Sequence, residues 1–279
     1  MEKRKRGRPK AFYEKPESTT IRSLDRAMHV LSTVSASGGM TLSEVCDTSG
    51  ETAPTVYRIL STLRLHAIVD YDEANQTWHV GAGAFRIGSA FLRRTQLVEQ
   101  SRPVMERIMQ RIGETANLAI IDKSEVVFVS QVETHEPIRA FFRPGTRGPV
   151  HASGIGKAIL AYMPSAQRSE ILGQAELDRY TPNTITERAE IERHLDWCKA
   201  TGWSLDDEER TLGMRCIAAP IFNHDGQPVA GVSVSGPTVR MLKDAYQEWG
   251  RIIREAADEI TMAIGGTLPP LNATESGKG

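Results

Sequence analysis

Residues 41–63 read TLSEVCDTSGETAPTVYRILSTL, and the fold of the N-terminal region follows from them. Thr41 is a good helix N-cap, and Glu44 three positions later completes a capping box. Leu42, Val45 and Cys46 give this short helix an apolar face, and Ser49-Gly50 supplies a turn. A longer helix starts near Thr52, with Pro54 tolerated in its first turn. Val56, Ile59, Leu60 and Leu63 form its buried stripe. A short helix bracing a longer one across a tight turn is a helix-turn-helix. The longer helix then enters a DNA major groove ~12 Å wide, so its outer face must carry hydrogen-bonding groups. That face offers Thr52, Thr55, Tyr57, Arg58, Ser61 and Thr62. Arg58 suits guanine or phosphate, and Thr55 and Tyr57 suit phosphates or thymine methyls.

The flanks extend the motif. Upstream, Leu24, Ala27, Met28, Leu31 and Val34 recur on one helical face, and Ser35–Gly39 ends that helix. Downstream, Ile68–Tyr71 and Trp78–Val80 flank a polar turn at Glu73–Asn75 and read as a β-hairpin. Three helices and a hairpin predict a winged helix-turn-helix over residues 21–82. A three-helix packing module without DNA is the alternative, and the chain's start weighs against it.

The first ten residues, MEKRKRGRPK, hold six bases and one acid. Residues 1–20 are too polar to bury a core and are expected to be disordered. Lys5–Lys10 resembles an AT-hook, in which Arg6 and Arg8 would enter a narrow AT-rich minor groove. The alternative is a solvated basic tail that screens phosphates. Residues 1–70 carry 11 basic against 8 acidic side chains, and the rest 23 against 27, so the net charge of −1 hides a basic end on an acidic body.

The 279 residues favour two domains. Residues 83–112 look helical, with 83–100 as a linker helix and a fresh helix start at Pro103. A second domain is expected over 101–266. It has strands at 117–122, 125–132, 138–142, 216–222 and 228–236, and helices near 153–163 and 185–202. A last helix uses Leu242, Ala245, Trp249, Ile252, Ile253, Ala256 and Ile260. The fold class is α+β, and residues 267–279 are expected to be disordered.

Cys46, Cys198 and Cys216 are far apart, and the seven histidines show no ligand spacing, so no metal, cofactor or disulfide framework is expected. No apolar run approaches the ~20 residues of a membrane span, and a reducing cytoplasm is the expected compartment. The absence of a nucleophile elbow, a metal-binding helix or a dinucleotide fingerprint predicts no catalytic residues. An enzyme with a DNA-binding appendage stays open as the alternative, as does a purely architectural DNA binder.

Ser153–Ala158, SGIGKA, opens a helix whose free N–H groups make an anion site, and two glycines let a carboxylate approach. The competing reading is an ordinary glycine-rich helix start. Ser233 and Ser235 share one strand face, bonded either to a ligand or to backbone. Cys216 reads as a small core residue, and Asp206–Glu209 as an exposed, solvated acidic loop.

Four stretches, SLDRAMHVLSTV (23–34), residues 41–63, HASGIGKAILAYM (151–163) and DDEERTLGMRCIAAPIFNHDGQPVAGVSVSGP (206–237), resemble IclR-family transcriptional regulators. The likeness spans about residues 20–265. It implies a winged helix-turn-helix, a linker helix and a GAF-like α/β effector domain. It also implies dimers that pair into tetramers on double-stranded operator DNA, and a catabolic gene target. By the same resemblance, the positions that meet a small carboxylate such as glyoxylate or pyruvate are Gly154, Ile155, Asp206, Cys216, Ser233 and Ser235. Ile155 replaces a smaller residue and narrows the pocket, unless it points away and only its N–H matters. An aromatic- or sugar-acid sensor is the alternative within the family.

Overall fold

A computed structural model describes residues 20–269. Arg6 and Arg8 therefore lie outside the described residues. The chain divides into two units at Arg94/Thr95.

In the first unit, α1 (Arg22–Ser35), α2 (Leu42–Ser49) and α3 (Ala53–Leu65) precede the hairpin of β1 (Val69–Asp72) and β2 (Thr77–Val80). The capping box at Thr41 is formed. The Glu44 N–H donates to Thr41 Oγ1, and the Thr41 N–H donates to Glu44 Oε2 at 2.8 Å. Gly50 ends α2 with φ of 71°, a left-handed cap that glycine takes without strain. Val30, Val34, Val45, Val56, Leu60, Val69 and Trp78 form the core. The stripe expected along α1 is buried only in its second half: Leu24 and Met28 are more than half exposed, whereas Val30 and Val34 join the core.

α4 (Ala82–Thr95) runs to the unit boundary. The break before α5 (Leu97–Ile112) falls at Gln96, which takes a positive φ of 48°, and Pro103 lies inside α5. The helix start expected at Pro103 is thus corrected. Leu97, Val104, Met105, Ile108 and Met109 bury one continuous face, which holds the helix together through the proline.

The second unit is built on a six-stranded antiparallel sheet in the order β5-β4-β3-β8-β7-β6. Its strands are β3 (Thr115–Asp122), β4 (Glu125–Val132), β5 (Arg147–Pro149), β6 (Ser204–Asp207), β7 (Met214–Phe222) and β8 (Pro228–Pro237). One face packs on α5 and α9 (Tyr246–Ala263). The other packs on α6 (Gly154–Tyr162), with α8 (Arg188–Thr201) beside it and α7 (Ser165–Gln174) completing that side. The two-residue alternation of strands decides what each layer sees. Ile217, Ala219, Ile221, Val232 and Val234 face α5 and α9, whereas Cys216, Ala218, Ser233 and Ser235 face α6.

Two sequence expectations are corrected here. Residues 138–142 are not a strand. Ala140 is buried and Phe142 stacks on Phe128 at 4.5 Å, but the edge strand beside β4 is Arg147–Pro149. Asp206–Glu209 is not a solvated loop. Asp206 and Asp207 end β6, and Asp206 and Glu209 are buried.

Candidate functional site

The five predicted DNA-reading residues on or before α3 fall on two faces. Thr55, Arg58 and Thr62 follow a three-and-four spacing and, with Ser23 and Arg26, line a hollow of about 380 Å³. Tyr57 lies about 100° around the helix. With Ser61, Arg64, Tyr71 and Gln76 it lines a second hollow of about 760 Å³ between α3 and the hairpin. Thr52 stands before the first helical residue, its hydroxyl 3.0 Å from Thr55 Oγ1. Thr62 Oγ1 donates to the Arg58 carbonyl at 2.8 Å, so its proton is already used within the helix. Arg26 is held by the Glu51 carboxylate. Arg58 is exposed and makes no ion pair among the described residues, which leaves its fork available. Arg64, missed in the sequence because it sits at the helix end, is also exposed and lies 5.9 Å from the Tyr71 ring.

All six predicted ligand residues meet at one cavity of about 170 Å³ in the second unit. α6 supplies its floor. Ser153 caps the helix, accepting from the Gly156 N–H at 3.3 Å. The N–H groups of Gly154 and Ile155 have no acceptor among the described residues. A Cβ on Gly154 would lie 2.9 Å from Cys216 Sγ, so glycine is what allows α6 to begin this close to β7. Ile155 turns a methyl onto Gly231 of β8 and is buried there, while still forming part of the cavity wall.

The sheet supplies the rest. β6, β7 and β8 bring Asp206, Cys216 and Ser235 into one row, since Asp206 pairs with Cys216 and Cys216 with Ser235. Ser233 is one pleat further along. Apart from its approach to the Cys216 thiol, the buried Ser233 hydroxyl has no hydrogen-bond partner among the described residues. Ser235 accepts from Asn117 Nδ2 at 3.2 Å, and Asn117 Oδ1 accepts from Gln131 Nε2 at 2.8 Å. This chain of amides across β3 and β4 orients Ser235. Sequence reading missed it, because Asn117 and Gln131 show their shared face only once strand register is known.

Charge around the cavity is mostly accounted for. Lys157 of α6 is completely buried; its Nζ donates to the Leu205 carbonyl at 2.6 Å and pairs with Glu209. Arg147 pairs with Asp122 and Glu125, and Arg215 with Asp207. Arg210 stacks 4.0 Å from the Tyr180 ring. Asp206, 9% exposed, accepts from the Glu209 N–H at 2.8 Å. Burial pushes its carboxyl up to about 7, with Lys157 pulling down and Glu209 pushing up. Burial, aided by Asp206, pushes the Cys216 thiol up to about 11, so it sits there as a neutral thiol.

Two family models match the chain. One, the IclR helix-turn-helix domain, covers residues 23–73, and one described as bacterial transcriptional regulator IclR C-terminal covers residues 89–262. The chain is 46% identical over 264 residues to the HTH-type transcriptional regulator BhcR of Paracoccus denitrificans, covering 94% of this chain and 95% of that one. It is 35% identical over 265 residues to the transcriptional repressor IclR of Escherichia coli, covering 94% and 97%. Among solved structures, the Thermotoga maritima IclR superposes with a TM-score of 0.72 at 30% identity, covering 88% of this chain and 99% of that one. An IclR homolog of Microbacterium hydrocarbonoxydans, solved in complex with 4-hydroxybenzoate, superposes with a TM-score of 0.77 at 28% identity, covering 87% and 98%.

Proposed function

Because the chain belongs to the IclR family of bacterial transcriptional regulators, we propose that its hold on DNA is controlled by a small carboxylic acid in the 170 Å³ cavity. It is a DNA-binding regulator, and its relatives carry the names of regulators, not enzymes. The effector is the proposal. The observation that carries it is the juxtaposition of two N–H groups at the start of α6, unpaired among the described residues, with a buried Ser233 hydroxyl that approaches only the Cys216 thiol there. Backbone donors at the positive end of a helix recognise a carboxylate. Ser233 and Ser235 would add hydroxyl contacts from one strand face, with Cys216 as a polarizable wall. Asp206 would meet the oxygen on the next carbon, a carbonyl or its hydrate, and so favour a keto acid such as glyoxylate over acetate.

On the DNA side, a two-fold dimer, further paired as a tetramer, would present two copies of α3 to a palindromic operator with half-sites ~34 Å apart. Arg58, Thr52, Thr55, Tyr57 and Thr62 are the proposed contacts. To regulate, the acid must bind the DNA-competent and incompetent states with different affinity.

A second reading has its own observation. Phe128 and Phe142 stack on one wall of the cavity. A dry cavity of ~150 Å³ holds benzene, so volume alone admits a small aromatic acid. Calorimetry with glyoxylate, pyruvate, acetate and 4-hydroxybenzoate on the wild type and on Asp206→Ala separates the two. Leaving the buried Asp206 carboxyl without a partner costs roughly 1–3 kcal/mol, about five- to a hundredfold in affinity. Glyoxylate should therefore outbind acetate by that factor, and Asp206→Ala should remove the difference. Equal acetate and glyoxylate affinity, or tighter 4-hydroxybenzoate binding, would replace the keto-acid reading.

A further inference from the structure

A cavity for an anion should not carry a buried anion of its own, yet Asp206 lines this one. Its surroundings make the conflict acute. The cation whose charge acts on it, Lys157 of α6, is already taken by Glu209 and by the Leu205 carbonyl. With Asp206 and Glu209 both ionised, the three-residue cluster has a net charge of −1 before any ligand arrives. The remaining elements offer little relief. β7 contributes the neutral Cys216 thiol and Arg215, which is bound to Asp207. β5 contributes Arg147, bound to Asp122 and Glu125. β8 contributes only Ser233 and Ser235. His194 of α8, beyond Lys157, is held down to about 3 by burial and is uncharged. Arg210, after β6, lines the cavity and makes no ion pair among the described residues, but it lies over Tyr180 and is exposed to solvent rather than buried beside Asp206. A carboxylate entering here would be a second buried negative charge without a free buried cation. Such a charge is normally neutralised by protonation.

We infer that the carboxylate effector is taken up together with one proton, which resides on Asp206 in the complex, so that effector binding is gated by pH. This deepens the reading of the cavity given above and rests on it. The step is balanced: one O–H bond forms on the free oxygen of Asp206, nothing is oxidised or reduced, and the proton comes from solvent. Neutral Asp206 can still accept from the Glu209 N–H through Oδ1, and its new O–H can donate to the effector's carbonyl oxygen. The acid thereby becomes a ligand for the keto group, where an ionised Asp206 would repel both ends of the effector. In the free protein this carboxyl already titrates near neutrality, so the proton uptake falls within the physiological range.

The test is calorimetry of the full chain with glyoxylate from pH 6 to 9, repeated in buffers of different ionisation enthalpy. The buffer dependence of the heat counts protons. Uptake should be about half a proton at pH 7 and close to one at pH 8, and Kd should rise up to about tenfold per pH unit above neutrality. In Asp206→Asn the amide cannot titrate, so uptake should vanish and Kd should become independent of pH. Tight wild-type binding at pH 8 without proton uptake would overturn the inference, and so would uptake that persists in Asp206→Asn. The wild-type proton count stands even if the variant folds poorly. Failure of every acid to bind at every pH would overturn the effector reading itself, and the proton uptake with it.

Discussion

Arg58 and Lys157 show how differently two cations can be used in one chain. Arg58 is exposed and without an acidic partner among the described residues, so its energy is available to DNA. Arg58→Ala should weaken operator binding by roughly 1–3 kcal/mol if it reads a base, and relax specificity at one position. Fluorescence anisotropy on operator and scrambled DNA measures both; an unchanged affinity would remove Arg58 from the readout. Lys157 is the opposite case, fully buried and committed to Glu209. Lys157→Met should destabilise the second unit by roughly 3–5 kcal/mol, because Glu209 would be left as an uncompensated buried charge. Adding Glu209→Met should recover most of that loss in urea unfolding. If the single variant unfolds like the wild type, the pair is not structural.

At the scale of elements, α2 depends on its first turn. It is only eight residues long, too short to persist without tertiary packing and caps. Thr41 Oγ1 satisfies one orphan N–H of that turn, and Glu44 returns the bond. Thr41→Ala should cost about 1 kcal/mol of first-unit stability. Because α2 braces α3, amide exchange should quicken across Leu42–Ser49; unaltered exchange there would mean that packing through Val45 alone holds the helix. The hydrogen bonds from Thr41 hold the Glu44 carboxyl below the usual range. The capping box therefore weakens only when the pH drops through that lowered value.

For the whole second unit, the buried acids set a pH dependence. Asp206 has a folded value near 7 against about 3.9 for an unfolded aspartate, so the native state binds more protons between these limits. Its contribution to stability is present below the lower value and is lost as the pH rises through the higher. His194 acts in the reverse direction, since burial lowers it and acid favours the unfolded, protonated form. Asp206→Asn should therefore raise the thermal midpoint more at pH 8 than at pH 5, as read by calorimetric scans. An equal shift at both values would mean that Asp206 does not titrate in the folded protein.

The winged helix-turn-helix was legible in the sequence because its signals are local. A capping box, a turn glycine and a helical stripe are each complete within a few residues, and the hairpin was readable from strand alternation. The α6 start and the paired serines of β8 were legible for the same reason. What Asp206–Glu209 does was not. An acidic run looks solvated until the fold shows that Lys157, 52 residues away from Glu209, is buried against it. Nor could Asn117 and Gln131 be linked to Ser235, since register between strands distant in sequence decides who faces whom. The residues at 138–142 form a short, mostly apolar run that reads as a strand, but a strand also needs a partner edge, and Arg147–Pro149 occupies it. Caps, periods and turns are properties of a segment and survive in its sequence; burial, pairing and the charge state of Asp206 are properties of neighbours, which only the tertiary structure supplies.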